Sequence, residues 1–352
     1  MGTDALKLQI VVIGMGSFGS ALASVCAANG HAVTLIGRND ELAATINRNH
    51  MNPRYLPDTV LHSNIVATTD LSTVTSADAV LLAVPTHAMR LVCRELNGNL
   101  PRNATIIHVA KGLEVETDLR MSQVILQECA DLGEPQLAVV SGPSHAEEVS
   151  RRLPTTLAVA SASKNTAEFV QDILMNHALR VYTNPDVIGT ELGGALKNII
   201  ALGCGISDGL SFGDNARAAI MTRGLVEITR LGVKMGAAYS TFSGLTGVGD
   251  LIVTCTSKHS RNWTAGYLLG SGLTLDAALD RIGMAVEGVR TTRAALDLAA
   301  KQGVSLPIAS EIADVLFHLK PPREAVSDLM QRMRTHEMEE YVQDTTASWQ
   351  FP

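Results

Sequence analysis

The feature that most limits how this chain can fold lies close to its start. Leu8-Gln9-Ile10-Val11-Val12-Ile13 is a short, β-branched apolar run of the kind buried in a parallel sheet. Gly14-Met15-Gly16-Ser17-Phe18-Gly19 follows, and residues 21–28 continue as an Ala-rich helical stretch. In that setting each glycine has a purpose. Gly14 allows the tight turn, Gly16 lets the backbone approach a pyrophosphate, and Gly19 lets helix and strand pack closely, while the helix N-terminus offers unpaired N–H groups to the anion. The alternative, a tight turn with no ligand, explains the glycines but not the strand and helix on either side of them.

Strand and helix then alternate. A second strand over residues 32–36 ends in Gly37-Arg38-Asn39. Dinucleotide folds that prefer NAD place a carboxylate near the end of this strand to hold the adenosine ribose; a guanidinium there suits a 2′-phosphate instead. NADP is therefore expected to be accepted beside NAD, the alternative being a solvated Arg38 at a strand end. Residues 65–68, 79–84, 104–109, 137–140, 155–160 and 179–182 read as further short strands, with helices over 86–96 and 117–131 and a loop bracketed by Pro53 and Pro57. Lys111-Gly112 and the run Ser141-Gly142-Pro143-Ser144-His145-Ala146 both fall at strand ends, the side of an open parallel sheet that faces the ligand crevice. Plain turn chemistry accounts equally well for the second of these.

After Asn184-Pro185 the strand pattern stops, which puts a domain boundary near residue 190. The expected architecture is an α/β Rossmann-type dinucleotide-binding domain over 1–190, an all-α domain over 191–340 and a mobile tail over 341–352. Helices are expected over 192–210, 216–231 with Gly232 as a stop, 263–270, 275–282, 291–302, 308–319 and 324–334.

The first of these helices carries a second constraint. Leu192, Leu196, Ile199, Ile200, Ile206 and Leu210 fall on one helical face, and between Leu192 and Ser207 the only charged residue is Lys197. An ammonium there is costly to desolvate unless something anionic meets it or its stem carries the charge out to solvent. Further on, three glycines precede Asp250 in Gly244-Leu245-Thr246-Gly247-Val248-Gly249-Asp250, and Ser260-Arg261-Asn262 gathers a hydroxyl, a guanidinium and an amide beside a helix start. That trio suits a phosphate, or is simply a capping segment ahead of Trp263.

Composition excludes other classes. Among 352 residues, 46% are hydrophobic and 18% charged, and the formal net charge of -7 with no Lys/Arg-rich run speaks against nucleic acid as a partner. Anionic ligands must then be held by local charge. Five scattered cysteines, Cys26, Cys93, Cys129, Cys204 and Cys255, suit free thiols in a reducing compartment. The N-terminus lacks a signal-peptide pattern and no membrane span is expected, so the cytoplasm is the default. No His/Cys/Asp cluster suggests a metal.

The motifs GMGSFG, AKGLE, SGPSHAEEV, GALKN, GLTGVGDLIVTC, SRN and VEGVRT together resemble the bacterial-type NAD(P)-dependent glycerol-3-phosphate dehydrogenases, through about residue 340. Phe18 stands where many members of that family have Trp. The resemblance implies reduction of dihydroxyacetone phosphate to glycerol 3-phosphate, for phospholipid synthesis, by a homodimer. It implies Lys197 as general acid and base, and Lys111 in contact with both cofactor and substrate. Gly142, Ser144, Asp250, Ser260, Arg261 and Asn262 would line the substrate site, with Arg261 also near the cofactor. Ser17, Phe18, Arg38, Ala146, Ala285 and Glu287 would contact the dinucleotide. The residues supply reasons: hydride transfer to a ketone leaves an alkoxide, so a proton donor brought toward neutrality is needed, and burial with Lys111 nearby would lower the pKa of Lys197 while Asp250 opposes and orients it. Asn198, one residue on, is placed to help hold the substrate hydroxyl. Two other readings stay open: a related two-domain dehydrogenase acting on a β-hydroxy acid or 6-phosphogluconate, and a dinucleotide sensor without turnover.

Overall fold

A computed structural model describes residues 7–333 of the protein. Its N-terminal part runs β1 (Gln9–Ile13), α1 (Ser17–Ala28), β2 (Ala32–Ile36), α2 (Asp40–Asn49), β3 (Met51–Asn52), β4 (Leu56–Val60), β5 (Ile65–Thr68), β6 (Ala79–Leu82), α3 (Thr86–Leu96), β7 (Thr105–His108), α4 (Met121–Glu128), β8 (Leu137–Ser141), α5 (Ala146–Ser150), β9 (Thr155–Ala160), α6 (Lys164–Leu174) and β10 (Leu179–Asn184). Eight of these strands form one sheet in the order β10-β9-β8-β7-β6-β1-β2-β5. The six from β8 to β5 are parallel, whereas β9 runs antiparallel to β8 and carries β10 with it.

Strands such as Ala79–Leu82 are buried at every residue because helices cover both faces of the sheet, which is why they read as unbroken apolar runs rather than alternating ones. One face packs Leu22, Cys26, Val170 and Ile173 from α1 and α6; the other packs Met89, Cys93, Val124 and Ile125 from α3 and α4. The winding reverses at β1, whose neighbours are β2 and β6, so the ligand crevice of this topology opens above the end of β1. There Gly14 holds φ +121°, and a Cβ on it would stand 2.4 Å from the Ala83 carbonyl oxygen; one on Gly19 would stand 2.0 Å from the Gly14 oxygen. At Gly16, the cap of α1, a Cβ would point into open space.

Two local expectations change. The loop bracketed by Pro53 and Pro57 is the turn of a β3–β4 hairpin together with the start of β4, and the hairpin is too short and too Pro-interrupted to show alternation. It is held under the glycine loop by the buried Asn52, whose Nδ2 donates to the Met15 carbonyl (2.8 Å) and to Ser20 Oγ (2.9 Å). The helix expected over 117–131 shrinks to α4, because Asp118 takes φ 59° and Leu113 bridges to Arg120 ahead of it.

The C-terminal domain is helical: α7 (Val187–Gly209), α8 (Asp214–Lys234), α9 (Tyr239–Phe242), a π-helical turn over Leu245–Gly249, α10 (Asp250–Thr256), α11 (Arg261–Gly270), α12 (Leu275–Ile282), α13 (Glu287–Gln302), α14 (Pro307–Phe317) and α15 (Pro322–Met330). Helix α7 starts five residues before the expected position, capped by Asp186, whose Oδ1 accepts from Gly189 N at 2.8 Å. It is buried on every side from Gly189 to Ser207. By length and composition it passes for a membrane span, the one such helix among the described residues, yet the protein itself covers it. Gly232 does not stop α8: a Cβ there would reach 2.1 Å from the Phe242 ring, so the glycine makes room for that ring while the helix runs on to Lys234. Residue 334 and the expected tail over 341–352 lie outside the described residues.

Helices α7 and α11 touch backbone to backbone. A Cβ on Gly205 would stand 2.1 Å from the Trp263 carbonyl oxygen, and one on Gly266 would stand 2.0 Å from that of Leu202. This crossing, available only to residues without a Cβ, lays the start of α11 against the middle of α7 and so carries Arg261 and Asn262 toward Lys197 and Asn198.

Candidate active site

Lys197 sits in the middle of α7 with 5% of its surface exposed. It does not snorkel. Its Nζ donates to Asp250 Oδ1 and to Thr254 Oγ1, both at 2.5 Å. The glycines ahead of Asp250 have a local purpose: they form the π-helical turn, and Gly193 on α7 leaves so little room that a Cβ would stand 2.4 Å from the Thr246 carbonyl oxygen. The turn is thereby pressed against α7, and Asp250, 1% exposed, starts α10 facing Lys197. Thr254, one helical turn on, donates back to the Asp250 carbonyl at 2.6 Å and offers its oxygen lone pair to Lys197.

The other oxygen of Asp250 meets the N-terminal domain. Lys111, three residues past the end of β7, donates to Asp250 Oδ2 (2.7 Å) and to the Gly142 carbonyl at the end of β8 (2.8 Å). One buried carboxylate thus joins two ammonium groups from two domains. Burial drives the Lys197 ammonium down from its ordinary value to about 8, and the Lys111 charge adds to this, while Asp250 holds it up. For Asp250, burial alone would raise the pKa, but the two ammonium groups outweigh it and keep the carboxyl below its ordinary range. The result is a proton donor near neutrality held against a permanent anion.

Around this centre runs a chain of amides. The Gly288 N–H donates to Asn262 Oδ1 (2.9 Å), Asn262 Nδ2 to Asn198 Oδ1 (2.9 Å), and Asn198 Nδ2 to the Lys111 carbonyl (3.1 Å). Asn262 keeps one amide hydrogen to spare, whereas both polar atoms of Asn198 are engaged inside the protein. Ser260 caps α11, accepting from Trp263 N at 3.2 Å, which leaves its own hydroxyl hydrogen to give. Ser144 Oγ donates to the Gly142 carbonyl (3.0 Å), and Arg261 Nη1 donates to the Ala285 carbonyl (2.9 Å). Glu287, the first residue of α13, accepts from Thr86 Oγ1 (2.7 Å) and Thr86 N (3.3 Å) at the start of α3. Ala146, buried, opens α5.

At the other end of the crevice, Ser17 Oγ donates to the Tyr55 carbonyl (2.8 Å) and Phe18 packs on the sheet core. The open space over Gly16 and the bare N-terminus of α1 fit a pyrophosphate. Arg38 is exposed two residues beyond β2 and has no ion pair among the described residues. Strands β7 and β2 are three spacings apart, roughly 14 Å, with β6 and β1 between them, so Lys111 and Arg38 follow strands on either side of the glycine loop.

The structure therefore brings Lys197, Asp250, Lys111, Asn198, Gly142, Ser144 and Asn262 into one connected cluster, with Ser260 and Arg261 beside it. Thr254 joins the cluster although the sequence assigns it no role, its i, i+4 spacing from Asp250 being the available signal; Val84-Pro85-Thr86 reads in the sequence as a strand end facing the crevice, and there Thr86 is bonded to Glu287. Two imidazoles lie close to each other beside this cluster: the His145 ring is 5.7 Å from that of His259, and burial together with the Lys197 charge holds His145 below its ordinary pKa. No group of three or more His, Cys, Asp or Glu side chains among the described residues is arranged to hold a metal ion.

Comparison with known proteins follows the same lines. Residues 9–167 match the family description NAD-dependent glycerol-3-phosphate dehydrogenase N-terminus, and residues 186–327 match the corresponding C-terminus. A glycerol-3-phosphate dehydrogenase (NAD(P)+) of Lysinibacillus sphaericus is 53% identical over 333 residues, covering 94% of this chain and 98% of the relative. One of Moorella thermoacetica is 53% identical over 335 residues, covering 95% and 99%. The crystal structure of a glycerol-3-phosphate dehydrogenase from Coxiella burnetii superposes with a TM-score of 0.88 at 35% identity, covering 93% of this chain and 99% of that one.

Proposed function

The chain belongs to the NAD-dependent glycerol-3-phosphate dehydrogenase family, and from that premise we propose that it interconverts dihydroxyacetone phosphate and glycerol 3-phosphate with Lys197 as the proton carrier. It is an oxidoreductase that uses NAD or NADP. The observation that carries the lysine's role is the pair of ammonium groups, Lys197 and Lys111, meeting on the two oxygens of Asp250.

When bound, the nicotinamide supplies a hydride to the ketone carbon, or takes it back in the reverse direction. The chain's own residues handle the proton and the phosphate. Lys197 Nζ gives a proton to the ketone oxygen as negative charge develops there, and Thr254 and Asp250 keep the amine aimed through the transfer. Lys111 adds a second positive charge beside that oxygen. The phosphate takes the guanidinium of Arg261, the spare hydrogens of Ser260 and Asn262, and the end of the β8 loop at Gly142 and Ser144. Asn198 acts by holding the Lys111 backbone and Asn262 in place rather than by touching substrate.

At the far end, Gly14, Gly16, Ser17, Phe18, Gly19 and Arg38 receive the pyrophosphate and adenosine; nearer the centre, Ala146, Ala285 and Glu287 contact the dinucleotide. If Arg38 reads a 2′-phosphate, Arg38→Asp is expected to move the ratio of kcat/KM toward NAD by at least tenfold, and an unchanged ratio removes Arg38 from that role. The same reading makes the enzyme a homodimer of the cytoplasm that feeds phospholipid synthesis; five free, buried cysteines suit a reducing compartment.

The test is oxidation of NADPH and of NADH by purified protein with dihydroxyacetone phosphate, beside unphosphorylated dihydroxyacetone. Fast oxidation with the phosphorylated ketone alone is expected. Equal rates with both ketones would refute the phosphate site, and no oxidation with either would refute the assignment.

A further inference from the structure

Helix α7 turns one face to the N-terminal domain, and three of its residues mark it. Glu191, Gly194 and Asn198 stand at i, i+3 and i+7 and so lie in one row. Asn198 holds the Lys111 carbonyl, and a Cβ on Gly194 would stand 2.7 Å from Ser141 Oγ at the end of β8. Glu191 closes the row. Its carboxylate is buried and accepts from Ser122 N (2.7 Å), from Ser122 Oγ (2.6 Å) and from Arg120 Nη1, with His108 Nε2 at 3.2 Å. His108 is the last residue of β7, three before Lys111, and Ser122 lies in the first turn of α4.

This is a large commitment of buried polar groups for a residue outside the proton chemistry. Lys197 lies six residues further along, roughly 240° around the helix, on the flank that meets α10. Burial alone would raise the Glu191 carboxyl, but His108, Arg120 and Ser122 more than reverse this and bring it to about 2, so its charge is fixed at any working pH. The carboxylate thus ties α7 to the end of β7 and the start of α4.

We propose that Glu191 is a positioning residue that sets the rotation of α7 against the strand delivering Lys111, so that Lys197 and Lys111 converge on Asp250. Gly193, Gly205 and Gly266 lock α7 against the π-helical turn and α11 of its own domain; toward the strand that delivers Lys111, direction is set by this polar row. An extended Lys Nζ stands about 8 Å from its helix axis, so a rotation of about 10° displaces it by roughly 1.4 Å. A misplacement of about 1 Å costs on the order of a hundredfold in rate. Hydride donor and proton donor belong to different domains, and the Glu191 tie is where their relative angle is fixed.

The inference rests on the proposed hydride and proton transfer, and its test separates the two. Parent, Glu191→Gln and the milder Ser122→Ala are compared as full chains for kcat, KM for each substrate, and the primary deuterium isotope effect from cofactor labelled at the transferred hydrogen. Glu191→Gln is expected to lose at least tenfold in kcat with KM for cofactor within twofold and a larger isotope effect. Ser122→Ala should move in the same direction by a few-fold, and it decides the matter if Glu191→Gln does not fold. A lower melting temperature with kcat and isotope effect both within twofold of the parent would make Glu191 a packing residue and overturn the proposal. Should the parent not turn over dihydroxyacetone phosphate, the pH midpoint for acylation of Lys197, read by mass spectrometry without substrate, takes the place of kinetics. It should rise in Glu191→Gln as the ammonium leaves its buried seat, and an unchanged midpoint would overturn the proposal.

Discussion

Lys197→Ala is expected to lower turnover by about a thousandfold or more in both directions while leaving cofactor affinity within about twofold. The loss follows from what the side chain provides. A positioned general acid is worth on the order of 10²–10⁴ in rate, and the two groups that Lys197 meets on its flank of α7, Thr254 and Asp250, both accept from it. The glycine loop proposed to hold the dinucleotide lies at the end of β1, in the other domain. Cofactor titration by fluorescence beside steady-state kinetics checks both halves. A kcat within tenfold of the parent would remove Lys197 from its role, and lost cofactor binding would show that the substitution had disturbed α7 as a whole.

Asp250→Asn is the second change with a large expected effect, and it reaches activity and stability together. The carboxylate is the shared counter-charge of two ammonium groups, one of them fully buried. Removing one partner of a buried ion pair costs about 3–5 kcal/mol because the remaining charge is left uncompensated. The protein is expected to melt on the order of 10 °C lower. Asp250 is also the group that holds the Lys197 pKa up against burial and against Lys111. Without it the lysine should lose its proton at lower pH, so that residual ketone reduction declines from a more acidic point than in the parent. Calorimetry and a pH–rate profile read the two effects separately. An unchanged melting point with an unchanged profile would mean that the Lys–Asp–Lys cluster does not form.

Much of this arrangement can be read in the sequence, for physical reasons that differ from part to part. The β1–glycine loop–α1 unit is legible because strand, turn and helix N-terminus are contiguous and each glycine is demanded locally. Lys197 is legible because a lone charge in an apolar helix needs an explanation. The hairpin at β3–β4 is not, since two residues paired with a Pro-containing strand carry no periodic signal. Gly232 illustrates the opposite error: a glycine near an expected helix end looks like a terminator, but a ring from α9 occupies the space its missing Cβ leaves. Glu191 escapes because nothing in the local pattern reveals that Arg120, Ser122 and His108, some seventy or more residues earlier, converge on it. The same holds for the saturated amide of Asn198. Its neighbour Lys197 gives it the look of a substrate contact, and only the fold shows that both its polar atoms are already engaged.

The most direct measurement of the central claim is the alkaline limb of kcat/KM for the ketone, which reports the free enzyme. Lys197 must carry its proton to reduce the ketone and must lack it to oxidise the alcohol. With its pKa drawn down to about 8, kcat/KM for dihydroxyacetone phosphate should fall as the pH rises through about 8, and kcat/KM for glycerol 3-phosphate should rise over the same interval. A reduction profile that stays flat to pH 10, or oxidation that fails to rise where reduction falls, would contradict Lys197 as the buried proton carrier.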